Sequence, residues 1–162
     1  RIDVDPLDAS FVATQIAAVV KEGAFDLILM GRESIDYNGG VVHGMVGELL
    51  GLPSISPVMK LDFDGTTATL EKAIDGGKQI IEVSLPFVAG CQEPIAEWKI
   101  PNMRGIMQAR TKPLEVKPSY GDEVGTVLVK HSLPIEKEGC KLIDADNVEE
   151  LVDLLRNEAK VI

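Results

Sequence analysis

The stretch Phe25-Asp26-Leu27-Ile28-Leu29-Met30-Gly31-Arg32-Glu33-Ser34-Ile35-Asp36-Tyr37-Asn38-Gly39-Gly40, with the segment Val41–Leu50 after it, decides the fold. Phe25–Met30 is a short apolar run that ends at a glycine, the pattern of a parallel strand buried on both faces. Val42, Met45, Val46, Leu49 and Leu50 then recur at helical spacing and are closed by Gly51 and Pro53. A strand that passes through a glycine-containing loop into a helix points backbone N–H groups and the positive helix end beyond the strand's carboxyl edge. That arrangement suits a phosphate. Gly39 and Gly40 permit close backbone approach, and Ser34, Asp36 and Asn38 are placed to bond a ribose or to orient the loop. Such loops also occur at ordinary strand-to-helix junctions, and neither GxGxxG nor a Walker lysine is present, so local features leave nucleotide binding and a plain connection both open.

Upstream, Asp5-Pro6-Leu7-Asp8 predicts a helix start with Asp5 as the cap and Pro6 at the first helical position. Leu7, Phe11, Val12, Gln15, Ile16 and Val19 supply its apolar stripe, and Gly23 its stop. Downstream the period changes. The turn signals Asp64-Gly65 and Asp75-Gly76-Gly77 separate alternating segments at Val58–Phe63, Thr67–Ile74 and Gln79–Leu85, which predict an antiparallel, hairpin-rich extension. Pro86 opens a further short strand through Val88 and Ala89, and Gly90–Met103, with Pro94 and Pro101, reads as an irregular surface loop. Arg104–Ala109 predicts a short helix, residues 111–125 an extended arm, and Val127–Val129 an apolar strand. The chain ends in a helix over Asp146–Ala159, with Asp146 and Glu149 at capping-box spacing and Val148, Leu151, Val152 and Leu155 as its buried stripe.

Composition bounds the function. The 162 residues carry a formal charge of −10, almost all of it within residues 1–97, which argues against nucleic-acid or anionic-membrane partners. Within that acidic chain, Lys99, Arg104, Arg110, Lys112 and Lys117 form a basic stretch, either a docking surface for an acidic partner or a solvated face. No apolar run approaches the length of a membrane span, and the opening residues lack a secretory pattern, so the expected location is the cytoplasm or an organelle matrix. Cys91 and Cys140 have no metal-ligand spacing and are expected to be reduced structural thiols. His43 and His131 have no nucleophile motif beside them, and no spacing isolates a catalytic carboxylate pair, so an enzyme is not expected. Trp98, the only tryptophan, is either a local packing anchor or an interface residue. The chain opens on Arg1 rather than Met and reads as part of a longer protein.

Taken as a set, the motifs resemble those of the electron-transfer flavoprotein beta subunit, over its C-terminal two-thirds. Gly31-Arg32-Glu33-Ser34-Ile35-Asp36 is similar to the family loop Gly-Lys/Arg-Gln-x-Ile/Thr-Asp. Lys72-Ala73-Ile74-Asp75-Gly76-Gly77 followed by Leu85-Pro86 resembles the signature hairpin, and Arg104-Gly105-Ile106-Met107-Gln108-Ala109-Arg110 the Arg-Gly-Ile-Met-x-Ala-Lys/Arg segment. The resemblance implies an α/β, Rossmann-like adenine-nucleotide-binding domain, parallel at its core, of the group related to universal stress and ATP-pyrophosphatase folds. It implies residues 1–110 as an incomplete nucleotide-binding domain with a partner-recognition loop, and 111–162 as an arm and helix contacting an alpha subunit. It also implies an electron carrier rather than an enzyme: a heterodimer whose alpha subunit holds FAD, whose beta subunit holds AMP or a second FAD, and which takes electrons from flavin dehydrogenases.

The family's phosphate-binding turn maps onto Gly39-Gly40-Val41-Val42, so the implied cofactor-binding residues are Gly31, Arg32, Ser34, Asp36, Asn38, Gly39, Gly40, Val41 and Val42. Its recognition loop maps onto Gly90–Trp98 with Ile95 as the apolar anchor, and Trp98, Lys99 and Arg104 join the implied partner-binding set. Two departures bear on this. Gly40-Val41-Val42-His43 stands where the family has Asn/Ala-Gln-Val/Thr-Gly, leaving phosphate contacts to backbone donors, and Phe87-Val88-Ala89-Gly90-Cys91 replaces a Val-Thr-Ala-Asp run. The family's first strand, which lies beside Phe25–Met30 and completes the adenine pocket, has no counterpart in the chain. Isolated, the chain is therefore expected to hold no flavin and to self-associate. The rival identities are a stand-alone nucleotide-binding regulatory module and an ATP-using ligase; the ligase would want a Ser-Gly-Gly-x-Asp-Ser loop.

Overall fold

A computed structural model of the chain describes residues 1–5, 8–121, 125–136 and 139–162. Pro6 and Leu7, expected at the start of the first helix, lie outside the described residues, as do 122–124 of the expected arm. The chain divides into two compact units, Arg1–Val127 and Leu128–Ile162.

In the first unit, α1 spans Ala9–Glu22 and is capped by Asp8, not by the expected Asp5. The Asp8 carboxylate accepts from Phe11 N at 2.6 Å, satisfying one of the helix's open donors. It also accepts from Gly125 N at 2.8 Å and Thr126 N at 2.7 Å, so one side chain starts the helix and tethers a distant segment. Gly23 closes α1, as expected.

The sheet has five strands in the order β1-β5-β2-β3-β4: β1 Leu27–Gly31, β2 Ser54–Phe63, β3 Thr67–Ile74, β4 Gly77–Ser84 and β5 Phe87–Cys91. β2, β3 and β4 form the expected antiparallel extension, and β5 then returns to lie parallel between β1 and β2. Only β3 runs against the others. The first hairpin turns where Asp64 Oδ1 accepts from Thr66 N and Thr67 N at 2.8 and 2.7 Å, which fixes the bend around Gly65. β2 shifts register between Ile55 and Val58, at Pro57, which has no N–H to offer the ladder.

Alternation along β5 sorts the core into two faces. Val88 joins Ala13, Ile28 and Val46 under α1 and the helix α2 (Val42–Leu50), whereas Phe87 and Ala89 join Ile55, Val58, Ala68 and Leu70 on the opposite face. The first strand departs from expectation. It is an edge strand and is covered by helices on one face only, so Ile28 is buried while Leu29 is 57% exposed. Phe25 lies outside the strand, its ring folded across Gly23.

The stretch after α3 (Met103–Ala109) forms a strap along α1, bonded to it and to its cap Asp8 through Lys117, Tyr120, Gly121, Gly125 and Thr126. Gln15, buried, donates to Tyr120 O at 3.3 Å and accepts from Tyr120 N at 2.6 Å. Glu22 accepts from Lys117 Nζ at 2.6 Å and from the Tyr120 hydroxyl at 2.7 Å, which holds its carboxyl below the ordinary value.

In the second unit, α4 (Val148–Asp153) runs on into a π-helical turn, Leu154–Glu158. Its cap is Asn147 rather than Asp146: Asn147 accepts from Glu150 N at 3.3 Å and donates to the Glu150 carboxylate at 2.7 Å, a capping pair one residue later than expected. Val148, Leu151 and Val152 are exposed, not buried, since none of the described residues of this unit is buried. Val127–Val129 forms no strand, and Val129 is exposed.

Candidate functional site

β1 and β5 are parallel neighbours with Gly31 opposite Cys91, so the loops that follow them leave the same edge of the sheet side by side. α2 is laid close against that edge by two glycines. A Cβ on Gly90 would stand 2.7 Å from His43 Cδ2 and 2.5 Å from Ser56 Oγ, and one on Gly47 would stand 2.7 Å from Ser54 Cβ. No side chain other than hydrogen allows that approach. His43 is half-buried there, and burial pushes its pKa below the ordinary value.

The loop from Gly31 to Gly40 is shaped by its own polar groups. Ser34 O accepts from Asn38 N at 2.8 Å, and Ser34 Oγ accepts from Asp36 N at 3.2 Å, which closes a turn. Asn38 at φ 48° and Gly40 at φ 61° then reverse the backbone into α2, the left-handed region that these two residue types enter most readily. Val41 caps α2 with no side-chain hydrogen bond, so the amides of the first turn have no side-chain acceptor and the positive end of the helix opens onto the turn. Gly31, Ser34, Asp36, Asn38, Gly39, Gly40, Val41 and Val42 thus lie along one loop at one sheet edge.

Arg32 is placed differently. Its N donates to Cys91 O at 3.0 Å, and its guanidinium spans the two neighbouring loops, meeting the Glu33 carboxylate and donating to Gln92 Oε1 at 3.1 Å. Gln92 carried no signal in the sequence beyond its place in the loop after β5, because only the pairing of β1 with β5 brings it to Arg32.

In the expected recognition loop, Gly90 and Cys91 belong to β5 and the irregular part begins at Gln92. Ile95 is half-buried against the sheet face that carries Phe87 and Ala89, and its N donates to Gln92 O at 3.1 Å. Trp98 is 81% exposed, with Ile100 and Met103 exposed after it and Lys99 and Arg104 beside them. Ile100 escaped the sequence analysis because an isolated apolar residue between Lys99 and Pro101 has no periodicity to reveal it. Asn102 caps α3 by accepting from Gly105 N at 2.8 Å. Cys91 is half-buried, with its thiol pKa raised by burial, and Cys140 is exposed. Among the described residues no His, Cys, Asp or Glu cluster is placed to hold a metal, and no helix is long and apolar enough to cross a membrane.

The electron transfer flavoprotein domain family matches residues 3–120. Among relatives, the electron transfer flavoprotein subunit beta of Bacillus subtilis is 35% identical over 170 residues, covering 99% of this chain and 66% of the relative. The subunit beta of Syntrophomonas wolfei is 34% identical over 152 residues, 92% of this chain and 60% of its own, and that of Mycobacterium tuberculosis H37Rv is 34% identical over 130 residues, 74% and 49%. The chain therefore spans no more than about two thirds of the length of the curated relatives it matches. With a mixed α/β sheet, a glycine turn feeding an uncapped helix, and a family match that covers most of its length, the chain belongs to the electron transfer flavoprotein family, on the side of the beta subunits.

Proposed function

We propose that the chain is the part of an electron transfer flavoprotein beta subunit that holds an adenine nucleotide, AMP or a second FAD, by its phosphates at the Gly39–Gly40 turn. The observation that carries this is the amino end of α2: an uncapped first turn, entered through a left-handed glycine, at the carboxyl edge of two parallel strands. The residues fit an anion. Backbone donors of Val41, Val42 and His43 face the phosphate, and Gly40 leaves the approach open, since a Cβ there would meet only Glu33 Oε2 at 3.9 Å. Arg32 offsets the Glu33 charge. Ser34, Asp36 and Asn38 set the loop, with Asp36 the candidate partner for a ribose hydroxyl.

In this reading the working unit is a heterodimer with an alpha subunit that holds the electron-carrying FAD, and its role is electron carriage, not chemistry on a substrate. The flavin supplies the redox chemistry; this chain orients nucleotide and partner. The stretch from residue 111 onward contributes to the alpha-subunit contact, where the exposed Leu151 and Val152 of α4 find cover. Flavin dehydrogenases dock at the loop that carries Ile95, Trp98, Lys99 and Arg104, in the cytoplasm or an organelle matrix.

The test is nucleotide extracted from the full-length subunit co-purified with its alpha subunit. Gly40→Val adds a side chain in a backbone region that costs an L residue about 1–2 kcal/mol, and retained nucleotide is expected to fall about ten-fold. Undiminished nucleotide in that variant rules the site out.

A further inference from the structure

The two loops assigned to nucleotide and partner are joined by a continuous polar chain. Glu33 Oε2 lies 3.9 Å from where a Gly40 side chain would begin, and the Glu33 carboxylate meets the Arg32 guanidinium. Arg32 donates to Gln92 Oε1 at 3.1 Å, and Gln92 O accepts from Ile95 N at 3.1 Å. The backbones at both ends are pinned, Arg32 N to Cys91 O and Gln92 N to Val58 O, each at 3.0 Å. What can change is the partner that the guanidinium chooses.

We propose that Arg32 is a positioning residue that couples nucleotide occupancy of the Gly39–Gly40 turn to the conformation of the docking loop through Gln92. The proposal rests on the assignment of that turn as the phosphate site. A phosphate arriving there brings negative charge against Glu33, and the cation paired with Glu33 is Arg32, whose guanidinium keeps its charge and presents its donors in a rigid fork. In the conformation described it serves Gln92 through Nη1 and Glu33 through Nη2, so a phosphate beside Glu33 competes for the same fork. With the turn empty, Arg32 holds Gln92 and the loop stays as described; with the turn filled, Arg32 swings to the phosphate and the first side chain of the loop is released. Two discrete arrangements, each favoured by one ligand, are what site-to-site coupling requires, and a partner that prefers the released loop must then tighten nucleotide binding by the same factor.

Trp98 is the only tryptophan and lies six residues beyond Gln92, so the loop reports on itself. AMP is titrated into the protein while binding is followed by calorimetry and Trp98 emission in parallel. The expected result is an emission change that saturates with the calorimetric binding curve. Gln92→Leu, which leaves the Gln92 N to Val58 O bond intact, should bind AMP and lose the emission change. Gln92→Glu should bind AMP about five-fold more weakly, the low end of site-to-site coupling, because it offers Arg32 a competing carboxylate. AMP binding with no emission change in the wild type, or wild-type affinity in Gln92→Glu, overturns the coupling alone. No calorimetric binding of AMP overturns the coupling, whereas the phosphate-site assignment falls separately, on undiminished nucleotide in Gly40→Val of the full-length subunit.

Discussion

Alanine at Gly90 should strike the fold where sheet and site meet. An added Cβ would stand 2.5 Å from Ser56 Oγ, 2.8 Å from Ser56 Cβ and 2.7 Å from His43 Cδ2, where ordinary contact begins at 3.4 Å. The hydroxyl can rotate away, but Ser56 Cβ is fixed to β2 and His43 sits in the first turn of α2. Both shortfalls exceed half an ångström, so α2 has to move off the sheet or β5 has to move down. Overpacking of this kind costs about 2 kcal/mol. With a urea dependence of about 2 kcal/mol per molar, the unfolding midpoint of the first unit, read from Trp98 emission, should fall by about 1 M. Gly44→Ala is the internal control, because a Cβ there meets nothing within 4 Å and alanine favours helix by up to about 1 kcal/mol. Its midpoint should rise. A Gly90→Ala midpoint at or above that of the wild type would refute the close approach of α2, and with it the placement of the Gly39–Gly40 turn at the sheet edge.

On the proposed docking of a flavin dehydrogenase at the Ile95 loop, Ile95→Ala is expected to slow electron transfer, mainly through faster dissociation, with flavin content unchanged; because Ile95 also packs on the sheet, about 1 kcal/mol of stability should go with it. Transfer kinetics equal to wild type would leave the loop a packing element. Hydrogen bonds hold the Asp8 and Glu22 carboxyls below their ordinary values of 3.8 and 4.5. Their stabilisation of the strap is therefore present above those values and lost as pH falls through the lowered ones, so exchange of the strap amides should accelerate only below about pH 4. Release that is complete at pH 6 contradicts the assignment. The exposed outer edge of β1 should pair with a second copy of the isolated, flavin-free chain, giving a dimer by light scattering that Leu29→Lys disperses. A concentration-independent wild-type monomer would show that the edge is satisfied within one chain.

The elements were legible in the sequence where local chemistry sets them. Gly23 and Gly51 stop helices, and Asp64-Gly65 and Asp75-Gly76 turn hairpins, through the backbone of the residues themselves. What depends on distant partners was not legible. Asp8 outcompetes Asp5 as the cap while also holding Gly125 and Thr126, more than a hundred residues away. Gln15 is buried because Tyr120 needs its amide, not because of its place in an apolar stripe. The glycine turn and uncapped α2 could be read from residues 31 to 50, whereas Arg32 facing Gln92 required knowing that β5 lies beside β1. The exposure of Leu29 has the same origin, since an apolar run does not say which strand ends up outermost.

That late insertion of β5 also orders events in time. Leu27 pairs with Phe87, sixty positions further along the sequence, whereas β2, β3 and β4 close through turns of a few residues. Loop-closure entropy therefore favours the meander first, and the parallel half must wait for Phe87–Cys91 to arrive. On a ribosome, the glycine turn and α2 emerge early yet have no platform until the last strand is synthesised. Pulse-labelled exchange during refolding should protect β3 and β4 amides before those of β1; simultaneous protection would mean that the sheet condenses as one. The loop proposed to hold nucleotide is thus made well before the strand that shapes it.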